Sequence, residues 1–274
     1  MSTLYVVGTP IGNLGDISPR ALETLSAVDF IAAEDTRVTS KLLNYFEIKK
    51  PLISYFEHNK REKGEIIINR ILAGESCALV TDAGMPAISD PGEDLVLLAH
   101  EKGVKVESVP GPTAVLTALA ISGMPSGRFC FEGFLSVNKQ GRREHLGELK
   151  NEKRTMIFYE APHKLKNTLS DLLDTLGDRE IAIVKELTKI HETVFRTTLK
   201  GALEYYEENP PKGEFVLIIK GAEATETDKQ YTLEDAVLMA KAEIAGGLST
   251  SDAAKLAAKE TGLKKGDIYK ALLG

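Results

Sequence analysis

Cysteine is scarce in this chain of 274 residues: Cys77 and Cys130 are the only two, and neither belongs to a C-x-x-C pair. That excludes a zinc ribbon and a thioredoxin-type redox motif, and two isolated cysteines read as small buried hydrophobes in a reducing compartment. Motifs of hydrolytic metal and serine chemistry are missing too, with no H-E-x-x-H and no G-x-S-x-G. The five histidines, His58, His100, His145, His163 and His191, are scattered without ligand spacing, so no metal site is expected; His163, the one in a candidate loop, reads as structural. No apolar run approaches the roughly 18 residues that span a bilayer. The chain runs directly into Leu4-Tyr5-Val6-Val7 without a basic leader or long apolar segment, so no signal peptide is expected and the protein reads as cytoplasmic. Positive charge is not in excess either: 34 Lys and Arg against 40 Asp and Glu give a net charge of −6. A surface coated for nucleic acid is thereby excluded, although a local basic stripe is not.

What is present is a strand–turn–helix rhythm. Apolar runs at residues 4–7, 30–33, 52–56, 78–81 and 104–109 read as strands. Helical patterns follow them at about 19–28, 39–46, 60–72, 93–101 and 113–122, the first opened by Ser18-Pro19 as cap and first helical residue. Strands alternating with helices of this length predict an α/β domain with a largely parallel sheet. The breaker cluster Ser122-Gly123-Met124-Pro125-Ser126-Gly127 marks a boundary. Beyond it, β-runs at 129–131, 156–159, 181–184, 194–198 and 215–219 fall closer together, with helices near 141–149, 162–176 and up to Tyr206. They predict a second α/β domain with a mixed sheet. The expected division is residues 1–122, 123–222 and a helical tail at 230–274, with residues 221–230 as linker. In the tail, Ser251-Asp252 reads as the cap of a helix over 253–260, broken by Gly262 and followed by another over 267–273. That pair suits a helix-turn-helix or a plain helical appendage.

Four loops follow first-domain strands, at the carboxyl edge where open α/β sheets bind ligands. They are Gly8-Thr9-Pro10-Ile11-Gly12-Asn13-Leu14, Glu34-Asp35-Thr36-Arg37, the run from Thr81 to Gly92, and Val109-Pro110-Gly111-Pro112-Thr113-Ala114. The first is no nucleotide fingerprint, since it lacks the spacing of either glycine motif and Pro10 removes an N–H donor. The third, with two Gly, two Pro and two Asp in twelve residues, carries more special backbone than a connection needs. A fifth loop, Tyr159-Glu160-Ala161-Pro162-His163, has the same placement in the second domain.

Together with Glu132 to Leu135 and Lys185 to Glu192, these loops resemble the tetrapyrrole-methylase superfamily. Within it they are most similar to members that methylate a cytidine ribose 2′-hydroxyl in small-subunit (16S) ribosomal RNA. Two departures are mild: Ser136 stands where the family usually has Pro, and Lys164 where it has Arg. The resemblance implies two α/β domains flanking an S-adenosylmethionine cleft, with a small C-terminal helical segment. It assigns Pro10 to the border of the cofactor pocket, Asp82, Ala83, Gly84 and Ile88 to the methionine end, and Thr113 and Ala114 to the next contact. Tyr159, Glu160 and Ala161 are the second domain's contact; Thr188 and the strand from Phe215 to Leu217 cover the adenine side. The base or hydroxyl-orienting group is expected among Glu34, Asp35, Lys185 and Glu186, with ion pairing of Glu186 to Arg37 or Lys185 as the competing role.

For RNA, residues 137–154 hold six basic side chains against three acidic ones, and Lys139, Arg142 and Arg143 are the expected phosphate contacts. The tail, with seven lysines from Lys229 onward against six acids, is too balanced for a strong second patch. The substrate is expected within the small ribosomal subunit, and the enzyme as a homodimer away from membranes. Alternatives are a sister activity, carbon methylation of a tetrapyrrole or methylation of a protein side chain, and a non-enzymatic ligand-responsive DNA-binding protein.

Overall fold

A computed structural model describes residues 2–223 and 231–273, so most of the expected linker lies outside the described residues. The first sheet contains β1 (Thr3–Val7), β2 (Phe30–Ala33), β3 (Leu52–Ser54), β4 (Cys77–Val80) and β5 (Lys105–Val109), in the order β3-β2-β4-β1-β5. Every pairing in it is parallel. Buried parallel strands need apolar residues on both faces, and β2 and β4 are buried at every position. Phe30, Ala32, Cys77 and Leu79 face one cluster with Ile67, Ile68 and Leu95, from helices α3 (Lys60–Leu72) and α4 (Glu93–Glu101). Their alternating neighbours Ile31, Ala33, Ala78 and Val80 face Ala21, Leu25 and Leu43, from α1 (Pro19–Ala27) and α2 (Thr36–Tyr45).

Helix α2 starts three residues before the expected Thr39, because the Asp35 side chain accepts from Arg37 N and caps it. Helix α5 (Ala114–Ser122), capped by Thr113, packs across the expected boundary. It follows a strand of the first sheet, yet its Val115, Ala118 and Leu119 are buried against Ile157, Ala182, Val184, Val216 and Ile218 of the second.

That second sheet contains β6 (Phe129–Phe134), β7 (Thr155–Glu160), β8 (Glu180–Lys185), β9 (Thr193–Thr198) and β10 (Phe215–Ile219), in the order β6-β7-β10-β8-β9. Only β6 and β7 run parallel, so it is the mixed sheet expected. Strand β6 continues past Phe131 to Phe134 through a register shift at Glu132, where Gly133 takes φ +64°. The sheet's far face packs on α6 (Lys139–Glu148), α7 (Leu165–Leu176) and α8 (Leu199–Glu208) through Leu146, Leu169, Leu172 and Tyr206.

Taken by itself, the tail is three helices, α9 (Leu233–Ala245), α10 (Thr250–Thr261) and α11 (Lys265–Leu273). Helix α10 is capped by Ser249, not Ser251: Ser249 Oγ accepts from Asp252 N at 3.2 Å. Its core of Ala236, Ala240, Ala253, Ala254 and Ala257 lets the helices approach closely around Ile268.

Candidate functional site

The carboxyl ends of the first sheet are tied into one floor. Thr9 N donates to Gly84 O at 2.9 Å and Gly84 N returns to Thr9 O at 3.1 Å, while Gly8 N reaches Val109 O. The loop over residues 81–92 is held in an uncommon shape, with φ +66° at Ala87 and +64° at Ser89. Left-handed backbone at non-glycine residues costs free energy and persists only where its surroundings enforce it, a habit of ligand sites. Ser89 Oγ lies 3.4 Å from where a Cβ on Gly133 would sit, so this loop abuts the second sheet.

A cavity of about 450 Å³ opens where the two sheets meet. Nine of the expected cofactor residues line it: Asp82, Ala83, Gly84 and Ile88, then Thr113 and Ala114, then Tyr159, Glu160 and Ala161. Phe215 and Val216 also line it. Pro10 and Thr188 do not. Pro10 is buried behind its neighbour Ile11, which takes the lining position. Thr188 lies against Gly12, where its hydroxyl would be 2.9 Å from an added Cβ. Its amide donates to Glu192 Oε2, and its backbone is left-handed at φ +65°.

Of the four expected catalytic groups, Glu34 alone lines the cavity. Its Oε2 accepts from Thr81 Oγ1 at 2.5 Å and faces Asp82 N at 3.4 Å. Asp35 is turned to structural work: it caps α2 and grips Arg37 through a 2.6 Å ion pair, and these bonds hold its carboxyl down at about 2. Glu186 is likewise a brace. Its Oε1 accepts from Glu214 N at 3.0 Å and pairs with Lys189 at 3.1 Å, so the partner is neither Arg37 nor Lys185. Lys185 sits half-buried at the end of β8, outside the lining.

Sequence reasoning missed Ile11, Met85, Asp90, Phe134 and Leu187, which line the wall as well, together with Ser89, Pro162, Val184 and Glu214. Asp90 is the notable omission: burial first, then the charge of Glu34 and more weakly of Asp82, push its carboxyl up to about 6. Burial and Glu34 also raise Asp82. Tyr159 is pushed up to about 12, chiefly by burial, so its hydroxyl stays protonated at neutral pH. Five carboxylate residues and no lysine, arginine or histidine line the cavity among the described residues.

The expected RNA contacts divide. Lys139 and Arg143 are exposed on α6. Arg142 is a correction: it is 9% exposed, its Nε 2.6 Å from Asp171 and its Nη2 donating to Thr168 Oγ1 at 3.1 Å. Thr168 in turn donates to Glu160, whose other oxygen accepts from Ala161 N, so Arg142 anchors the cavity wall from behind. Cys77 and Cys130 are both free, and burial pushes each thiol up to about 12. No group of residues suited to hold a metal occurs among the described residues.

The model for tetrapyrrole (corrin/porphyrin) methylases matches residues 3–203. The chain belongs to this family. A second model, an RsmI C-terminal HTH domain, matches residues 233–274 of this methylase. It is 48% identical to ribosomal RNA small subunit methyltransferase I of Synechocystis sp., over 98% of this chain and 96% of that protein. The protein of the same name from Thermotoga maritima is 47% identical, and 223 aligned residues (81% of this methylase) span all of it. Among solved structures, a cobalt-precorrin-4 methyltransferase is similar with a TM-score of 0.60 and 20% identity, over 80% of this chain and 95% of that one, a likeness of fold alone.

The methyl donor of this methylase is S-adenosylmethionine, and the cavity's chemistry fits it. The volume falls in the range of about 300–1,000 Å³ usual for small-molecule sites. The donor carries a sulfonium and an ammonium against one carboxylate, hence a net positive charge, which suits a wall with carboxylates and no cation. Apolar Ile11, Ala114 and Val216 leave room for the adenosyl group.

Proposed function

We propose that this enzyme transfers a methyl group from S-adenosylmethionine to the ribose 2′-hydroxyl of a cytidine in small-subunit (16S) ribosomal RNA. The observation that carries the reading is a carboxylate-lined cavity at the junction of two α/β sheets, in a chain aligned almost end to end with small-subunit rRNA methyltransferases. Bound there, the cofactor supplies an activated methyl on a good leaving group. The protein's own contribution is then to hold, orient and desolvate. Asp82, Gly84 and the backbone at Thr113 and Ala114 hold the donor from the first sheet, and Tyr159 and Ala161 from the second. Glu34 faces the cavity while bracing the loop through Thr81, and so fixes the floor on which the hydroxyl is aligned. Such positioning is worth on the order of 7–11 kcal/mol.

Lys139 and Arg143 serve as phosphate contacts that set the RNA's register without reading its sequence. A net charge of −6 keeps binding to bulk nucleic acid weak, which suits an enzyme that recognises one structured site. We read the working enzyme as a cytoplasmic homodimer acting on the small ribosomal subunit; no described helix is long and apolar enough to cross a membrane.

The test is tritiated methyl transfer to small subunits, free 16S rRNA and a tetrapyrrole in parallel. Label in alkali-resistant dinucleotides, the mark of a 2′-O-methyl group, is the expected result. Label in the tetrapyrrole alone overturns the reading.

A further inference from the structure

We propose that Asp90, a residue of the strained cavity loop, accepts the proton of the substrate hydroxyl during methyl transfer. The inference deepens the reading above and rests on it.

The other acidic groups of the cavity are already engaged. Glu34 takes the Thr81 hydroxyl, Glu160 takes Ala161 N and Thr168, and Glu214 pairs with Lys189 at 2.9 Å. Asp82 Oδ1 accepts from Asp35 N. Asp90 has no ion pair among the described residues, shares only the Thr81 hydroxyl with Glu34, and lines the cavity from a loop with positive φ on both sides of it, at Ser89 and at Gly92. Positive φ at the non-glycine Ser89 carries a cost, and Ser89 lies beside Gly133 of the second sheet, where the two halves of the site meet.

The charged and titratable groups facing Asp90 act in one direction. Glu34 from the end of β2 and Asp82 from the loop after β4 add negative charge, and Tyr159 from β7 stays protonated. The Thr81 hydroxyl alone pulls the other way, and burial outweighs it. The carboxyl is consequently set near 6, where it is ionised at neutral pH yet basic enough to share a proton in a transition state. An ordinary aspartate at 3.8 would be a far poorer acceptor. The step balances: the O–H proton passes to an Asp90 oxygen as the new O–CH₃ bond forms. The S–CH₃ bond breaks with its electron pair going to sulfur, leaving a neutral thioether, and the proton then leaves to water.

The test uses the full-length chain, wild type, Asp90→Asn and Asp90→Glu. Three quantities are measured: single-turnover transfer to small subunits from pH 5 to 9, cofactor Kd by calorimetry, and the melting midpoint of cofactor-free protein against pH. For wild type, the rate climbs about tenfold per pH unit below 6 and levels off above 7. For Asp90→Asn, the rate falls about 10²–10⁴-fold and loses that limb, while Kd stays within about threefold; Asp90→Glu recovers part of the rate with a limb. The cofactor-free Asp90→Asn protein melts above wild type at pH 8, because an aspartate raised in the folded state destabilises it once ionised, and the gain fades as pH falls toward 4. Retention of the limb with a near-native rate overturns the proposal, as does a rate loss matched by lost cofactor affinity. Absence of the stability gain removes the raised carboxylate on which it depends. Wild-type transfer reports on the substrate reading separately, so the two fail independently.

Discussion

Gly8 and Gly111 lie so close together that a Cβ built on Gly8 falls 2.6 Å from Gly111 Cα, and one on Gly111 falls 2.8 Å from Gly8 Cα. Backbone meets backbone here, below the cavity, and neither side chain rotamers nor solvent offer relief. Gly111→Ala is therefore expected to cost about 3 kcal/mol in denaturant unfolding and to weaken cofactor binding, because the loops after β1 and β5 must separate. Gly74→Ala, a control at an open turn, has nothing within 4 Å of its added methyl, so the backbone strain of its φ of +112° acts alone and cofactor Kd stays unchanged.

Asp35 and Glu34 are adjacent in sequence and opposite in role. Asp35→Ala removes the cap of α2, and the expected result is a melting midpoint lower by about 2–4 °C at pH 7 with methyl transfer unchanged. The sign with pH follows from its folded value of about 2 against 3.8 unfolded: the stabilisation is present above pH 4 and lost as pH falls through 2. Thermal melts at pH 7 and pH 2.5 check it.

Glu34→Gln keeps the shape but removes the charge that helps raise Asp90. The acid limb of the rate profile is expected to move to lower pH, and cofactor Kd to stay within the same threefold as for Asp90→Asn. Calorimetry and single-turnover profiles read both effects.

Arg142 and Arg143 give a paired test. Arg142→Ala leaves Thr168 and Asp171 without their partner and is expected to cost about 1–3 kcal/mol of stability. Arg143→Glu leaves unfolding unchanged but weakens subunit binding and flattens its salt dependence. An Arg143 variant with the wild-type salt slope removes α6 from the RNA interface.

A chain ending at Ala222 is expected to fold and to bind cofactor as wild type does, with the backbone bond from Ala222 N to Glu152 O intact. The Thermotoga maritima relative, matched whole by 223 residues, is of that length. Subunit affinity is the quantity expected to fall, which filter binding measures.

These residues also mark how far a sequence reaches. The cavity loops were legible because Gly, Pro and Asp accumulate where strands end, and that placement follows from the alternation of strand and helix alone. Arg142 was not distinguishable from Arg143, since which of two neighbouring side chains turns inward depends on Thr168 of another helix. Asp90 escaped for a related reason: its carboxyl is raised by burial that no local pattern announces, and by Glu34, far off in the chain. Strand β6 read short because the glycine at 133 looked like an end and is a bulge.

Helix α5 begins at the cavity, just after its cap Thr113, and buries one face, through Val115, Ala118 and Leu119, on the second sheet. The element that lines the cavity from the first sheet is thus packed on the second. Opening the site by swinging the two halves apart would tear Val115, Ala118 and Leu119 from their packing, a cost of several side chains' burial. Any ligand of the cavity is then expected to enter and leave at the rim where Ile88 and Phe134 are half-exposed, with the two sheets staying together.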